Sequence, residues 1–264
     1  MSGSLRTRNI SRRFMHVWTR NLIVYKKIWL VNFLVPLLEP LLYLTAFGVG
    51  LSALIGHVPY RGQELSYIAF IAPALLSITT MYNSFFENTF ASFVRMYYQK
   101  TFDAMMATPL CLEDIIAGEI AWGATKSVIA TALMLSVVSL FGLVHYPHCL
   151  LIIPLSFLGG LAFGTAGMVF TGIVPSIEMF NLPIFLFITP MFLFSGTFFP
   201  VDTLPLWAQT LSHALPLTHL VNLFRALALG ELHSDLIWSV VYLAVMAVAL
   251  FPVALITMHR RLIH

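Results

Sequence analysis

Charge is scarce in this chain. Asp, Glu, Lys and Arg make up 9% of 264 residues against 59% hydrophobic residues, and mean hydropathy is +0.89. A soluble domain of that composition would expose large apolar patches, so a water-soluble fold is excluded and no separate soluble domain is expected. Cysteine is nearly absent: Cys111 and Cys149 lie at opposite ends of one apolar stretch, where they cannot pair. Catalytic signatures are missing too, with no Gly-x-Ser-x-Gly and no paired-carboxylate motif. Gly118 to Ser127 looks briefly like a phosphate loop, but Ala124 and Thr125 separate Gly123 from Lys126, and a P-loop needs the lysine directly after that glycine. The histidines are dispersed; His145 and His148 flank a bend at Pro147 without a third ligand, which is poor ground for a metal. A clustered basic face for nucleic acid is also lacking.

What the chain does have is long apolar runs. Six of them, Trp29 to Ile55, Tyr67 to Val94, Ile120 to Val144, Cys149 to Val174, Leu182 to Phe199 and Leu236 to Met258, match or approach the roughly 20 residues that span about 30 Å of hydrocarbon. The expected fold class is an all-α integral membrane protein in one permease domain, residues 1–264. Residues 1–28 form an amphipathic elbow, 29–258 the six spans and 259–264 a tail. The first run begins too late and lacks a small-residue cleavage site, so it is expected to stay as a helix.

Basic residues set the orientation. Arg6, Arg8, Arg12, Arg13, Arg20, Lys26 and Lys27 precede the first span, Arg95 and Lys100 follow the second, and Arg260 and Arg261 follow the last. By the positive-inside rule both termini and the Arg95–Glu119 segment are cytoplasmic, while residues 57–66, 145–148 and 200–235 lie outside. Arg61 and Arg225 are the outer exceptions, and Lys126 is inside the third span. Ahead of the first span, Ile10, Phe14, Val17, Trp18, Leu22 and Tyr25 recur at helical spacing opposite a basic side. That pattern predicts an interfacial helix with Trp18 and Tyr25 at headgroup level, either an elbow leading into the bundle or a plain anchor. Gly160-x-x-x-Gly164 in the fourth span predicts close helix approach, within the chain or between copies.

Two polar features stand out. Intramembrane charges Glu39, Glu87 and Lys126 reach similar depths, which predicts that Lys126 pairs with Glu87, the preferred partner, or Glu39, unless it snorkels toward the cytoplasm. After the second span, Pro109 ends a short helix of about Gln99 to Ala107, expected to lie along the membrane surface. Its Phe102, Met105 and Met106 are expected to be exposed beside Gln99, Lys100, Thr101 and Asp103, since adaptable Met side chains suit a protein contact. Between the fifth and sixth spans, Pro200, Pro205 and Pro216 divide an apolar stretch into two helices, Leu204 to Leu215 and Leu217 to Leu229, each too short to cross.

The stretch from Glu87 to Glu119 resembles the permease subunits of type 2 ABC exporters, particularly the branch that includes the rhizobial nodulation lipo-oligosaccharide permease. A second anchor is Leu193-Phe-Ser-Gly-Thr-Phe-Phe199-Pro200-Val-Asp-Thr-Leu-Pro205-Leu-Trp207, followed by Pro216, Thr218, His219 and Arg225, which resembles that family's outer-loop signature. The likeness covers essentially the whole chain. It implies that Gln99, Lys100, Thr101, Phe102, Asp103, Met105 and Met106 form a coupling helix seated on a separate ATPase. Phe199, Pro200, Pro205, Trp207, Pro216, His219 and Arg225 would belong to an external cap. It further implies a homodimer with two ABC ATPase subunits in a bacterial inner membrane, exporting an amphipathic substrate: lipo-oligosaccharide, lipid-linked glycan, lipid or drug. No cofactor is expected on this chain, ATP and Mg being held by the partner. An ion-coupled secondary transporter and an integral-membrane lipid-modifying enzyme are the alternative readings; the first would want inverted repeats and broken helices at the midplane, the second a convergent polar site.

Overall fold

A computed structural model of the protein describes residues 11–30, 34, 38 and 41–263. Among them, five helices are long and apolar enough to cross a membrane. They are α3 (Tyr67–Tyr98), α5 (Leu112–Leu140), α6 (His148–Ile173), α7 (Ile177–Phe194) and α10 (Asp235–Leu262). They correspond to the second to sixth expected spans. Most of the first lies outside the described residues; its far end is α2, residues 41–55, with a π-helical middle at Leu44–Leu51 packed on α3. Shorter elements are α1 (Phe14–Lys27), α4 (Thr101–Met106), α8 (Leu206–Ala214) and α9 (Pro216–Leu229).

α3 is the axis of the bundle. It is buried along 78% of its most apolar stretch, whereas α10 is buried along only 17% and turns Ile237, Trp238, Val245 and Val248 outward. With lipid tails as apolar as the side chains, close packing and interhelical hydrogen bonds hold such helices together. Ser84 Oγ of α3 donates to Gly160 O at 2.5 Å, Thr171 Oγ1 of α6 donates to Asn88 O at 2.7 Å, and the hydroxyls of Thr80 and Thr131 lie 2.8 Å apart. The glycines of α6 permit that approach: a Cβ on Gly160 would lie 2.8 Å from Ala124 Cα, and one on Gly164 would lie 2.6 Å from Ser84 Oγ. Gly160-x-x-x-Gly164 therefore serves packing inside the chain.

Several boundaries move from their sequence-based positions. The third span starts at Leu112, eight residues before Ile120, because Glu113 and Asp114 suit a helix N-terminus and Asp114 accepts from Ser11 N at 2.7 Å. The fifth stops at Phe194, where the chain bends into Gly196 at φ +68°, a left-handed backbone that glycine adopts without strain. Residues 57–66, for which the sequence reading named no element, pair as an antiparallel hairpin, β1 (His57–Tyr60) with β2 (Gln63–Ser66), in which Val58 faces Leu65. The two short helices after Pro205 and Pro216 are present, each proline sitting at or just before the helix start, where its missing N–H costs nothing.

Candidate functional site

Four charges meet at the end of the bundle that carries α1 and α4. Glu87 and Arg95 both come from α3, and in a regular α-helix eight residues would set them about 80° apart. The π-helical turn at Glu87–Ala91 absorbs an extra residue and brings them onto one face, a common use of such turns at functional positions. Arg95 Nη1 pairs with Glu87 Oε1 at 2.8 Å, while its Nε and Nη2 reach Glu119 Oε2 at 2.9 and 2.5 Å. Lys126 Nζ donates to Glu87 Oε2 at 2.9 Å, so the expected Lys126–Glu87 pair is present. Glu39, the other candidate partner, lies outside the described residues.

The acids are saturated. Glu87 also accepts from Trp122 Nε1 at 3.1 Å; Glu119 accepts from Ser92 Oγ and from Asn21 Nδ2, both at 2.8 Å. Side-chain exposure rises from 0% at Glu119 through 5% at Glu87 and 13% at Arg95 to 21% at Lys126, so lysine is the member nearest an opening. Two acids and two bases sum to zero, which makes a low-dielectric position tolerable only while every member stays paired. Sequence reasoning missed Arg95 and Glu119, which it left in the loop, and also Asn21. The available signal was Glu119, Trp122 and Lys126 recurring at helical spacing on one face of α5.

α1 docks on this cluster. A Cβ on Gly118 would fall 2.6 Å from Val17 Cβ, which shows how closely α1 and α5 approach. Trp18 donates through Nε1 to Thr125 Oγ1 at 2.9 Å, and the rings of Trp18 and Tyr25 meet that of Trp122 edge-on at 6.3 and 5.5 Å. Docking on α5 adds to the interfacial character read from the sequence: Trp18 finds a hydrogen-bond partner there, and both rings find a ring partner in Trp122.

The α4 segment is corrected as well. Phe102 is 0% exposed and Met105 9%, both inside a cluster with Val17, Phe93, Ile115, Ile116 and Met258, and Met106 is half-buried. A helix of six residues cannot hold its position alone, so its apolar side anchors it to the ends of α3, α5 and α10. The outward face is Tyr97, Tyr98, Gln99, Lys100, Asp103, Ala104, Ala107 and Thr108, with Thr101 half-buried at its edge. Lys100 starts the turn with φ +53° and lies 4.0 Å from Asp103 in an exposed pair of little energetic weight.

At the opposite end the expected cap residues divide. Phe199, Pro205 and Trp207 are exposed, and Trp207 meets Phe194 edge-on at 5.9 Å; Pro200 and Pro216 are buried. His219 stacks on Tyr242 at 4.1 Å, with Nε2 3.1 Å from His213 O and Nδ1 3.3 Å from Ser239 Oγ. One donor and one acceptor suit a neutral imidazole, and burial pulls its pKa below the ordinary value. Arg225, counted from sequence as an outer-side charge, is 2% exposed. It donates Nε to Phe70 O at 3.2 Å and Nη2 to Gly196 O at 2.8 Å, and its guanidinium lies 3.8 Å from the centre of the Phe70 ring.

Residues 12–229 match the family model described as ABC-2 type transporter. The chain is 38% identical over 253 residues to nodulation protein J of Rhizobium leguminosarum bv. trifolii, covering 96% of this chain and 95% of that protein. It is 33% identical over 247 residues to nodulation protein J of Bradyrhizobium diazoefficiens, 94% and 93% covered. Against the inner membrane transport permease YadH of Escherichia coli the figure is 24% over 236 residues, 89% and 90% covered. A helical bundle with several membrane-crossing helices, a match over most of its length and relatives aligned almost end to end agree: this chain belongs to the ABC-2 type transporter family, as a multi-pass, non-catalytic membrane permease subunit.

Proposed function

We propose that the chain works as a homodimer with two ABC ATPase subunits, exporting an amphipathic molecule of the lipo-oligosaccharide kind from the cytoplasmic side of the inner membrane. Both termini and α4 face the cytoplasm, and ATP and Mg belong to the partner. The observation that carries this reading is the mounting of α4. Its outer face is open for a partner, while Phe102 and Met105 pin its inner face to the bundle beside the four-charge cluster. Arg13 Nη1 adds a bond to Pro109 O at 2.5 Å, tying α1 to the same segment. A displacement imposed on the exposed residues would reach α1, α3 and α5 together, as ATP-driven coupling requires. The substrate class is supported by the likeness to the nodulation permease branch and by the apolar character of the bundle.

Reconstitution of the permease with its ATPase into liposomes tests the proposal. Movement of a labelled lipo-oligosaccharide should require ATP and stop with a non-hydrolysable analogue, and a proton ionophore should leave it unchanged. Transport that persists without ATP and collapses with the ionophore would establish ion coupling instead.

A further inference from the structure

Between α1, α3 and α5 lies a cleft of about 540 Å³, within the size range of small-molecule sites. Its wall changes along its length. Near α4 it presents Arg20, Arg95 and Gln99; further along α3 it presents Phe86 and Tyr82. From Gln99 to Tyr82 that wall rises roughly 25 Å at about 1.5 Å per residue. One leaflet contributes about half of the 30 Å hydrocarbon core, so the cleft reaches from the interface past the depth of an acyl chain's first half.

The charges lining it are unevenly matched. Arg95 and Lys126 are answered by Glu87, with Glu119 behind them. Arg20 is matched least: half-buried, it feels the Glu119 charge only at a distance, and among the described residues it donates to neutral oxygens, Asn21 Oδ1 at 2.9 Å and Thr101 Oγ1 at 3.5 Å. Among the described residues no carboxylate lies within ion-pair distance of it. A guanidinium with donors to spare, at the polar end of an aromatic trough, is complementary to an anion joined to an apolar chain.

We propose that this cleft binds an amphiphile with an anionic headgroup, Arg20 engaging the anion and the Phe86 and Tyr82 wall taking the chain. Its role in loading rests on the export reading above. With α4 in the cytoplasm, the charged end of the cleft sits at inner-leaflet headgroup level and the aromatic end points to the midplane, as a lipid of that leaflet does. Arg20 Nη2 also touches Thr101 in the first turn of α4, so occupancy is felt one hydrogen bond away from the surface offered to the ATPase.

The test uses the full-length permease in zwitterionic nanodiscs, with Cys111→Ser and a bimane on Val24→Cys, an exposed position lining the cleft; the other cysteine, Cys149, is buried. It is titrated with dodecyl phosphate, dodecyl maltoside and inorganic phosphate. Dodecyl phosphate should bind saturably and about tenfold or more tighter than the maltoside, as loss of one charge-assisted bond implies. Arg20→Gln should remove that preference, Arg20→Lys should keep most of it, and Phe86→Ala should weaken both amphiphiles. Should Arg20→Gln fold poorly, salt replaces it on the unmodified cleft, where raising ionic strength should weaken only the phosphate ligand. Equal affinity for the two amphiphiles, or an Arg20→Gln protein that binds like wild type, would overturn the proposal. Competition by inorganic phosphate as effective as that by dodecyl phosphate would show a free-anion site and overturn the amphiphile assignment. Binding is read without ATP or ATPase, so failure here leaves the export reading standing, and failure of export leaves this result standing.

Discussion

Two arginines are buried at opposite ends of this bundle by different means. Arg95 has Glu87 and Glu119 as counter-charges and lies in a network where every carboxylate oxygen is engaged. Arg225 has, among the described residues, backbone carbonyls of Phe70 and Gly196 and the faces of Phe70 and Tyr60. The first arrangement is strong while complete and costly when one member is lost; the second loses less because its partners are neutral and fixed by the backbone. The α4 end is therefore built from parts that depend on one another, and the opposite end from a staple that holds the hairpin, α3, α9 and the Gly196 bend in place.

The largest effect should come from breaking the charged end one member at a time. Glu119→Leu leaves Arg95 underpaired and should cost about 3 to 5 kcal/mol in denaturant unfolding of the purified permease, with part of it recovered in the Glu119→Leu, Arg95→Met double variant. Arg225→Met should cost less, about 1 to 3 kcal/mol, since it strands two carbonyls that accept from a charged donor. If Arg225→Met proves the more damaging, the contrast between the two ends is wrong. Sharpening the comparison within the network, a double-mutant cycle of Glu87→Leu and Lys126→Leu should give a coupling energy of about 1 kcal/mol, smaller than the Arg95–Glu119 coupling because Lys126 is the more exposed partner. Strict additivity would mean that the 2.9 Å contact carries no energy.

The smallest effect expected is a pH response confined to the end that carries α9. His219 has a lowered pKa, so below the ordinary imidazole value of about 6.5 the unfolded form takes up a proton that the folded form resists. Its contribution is full above that pH and declines as the medium is acidified. The protection factors of the α9 amides, which remove the intrinsic pH dependence of exchange, should fall slightly between about pH 7.5 and 5.5, and His219→Gln should abolish the fall.

How much of this was legible in sequence follows from which forces acted locally. Run length located the membrane-crossing helices, and Pro205 and Pro216 marked α8 and α9, because hydrophobic length and proline sterics need no tertiary context. The Lys126–Glu87 pair was legible because burying a charge in lipid demands a partner. Arg95 and Glu119 escaped notice because polar residues near a span's end read as loop, and only the α3 π turn, invisible in composition, brings Arg95 onto the Glu87 face. Phe102 and Met105 were assigned outward because a six-residue helix has no core of its own; the ends of three other helices supply one. Arg225 misled for a similar reason, since it is held by backbone oxygens and by rings from segments far away in sequence, which no local pattern announces.

The central claim is that the exposed face of α4, and not its apolar face, meets the ATPase. The most direct measurement is capture of the ATPase subunit by reconstituted permease, read together with permease thermal stability, for Ala104→Trp and Phe102→Leu. Ala104 is exposed and Phe102 is buried. The account predicts that Ala104→Trp abolishes capture and permease-stimulated ATP hydrolysis at unchanged stability, whereas Phe102→Leu lowers stability by about 1 kcal/mol and keeps capture. Normal capture by Ala104→Trp, with capture lost in a fully stable Phe102→Leu protein, would contradict it.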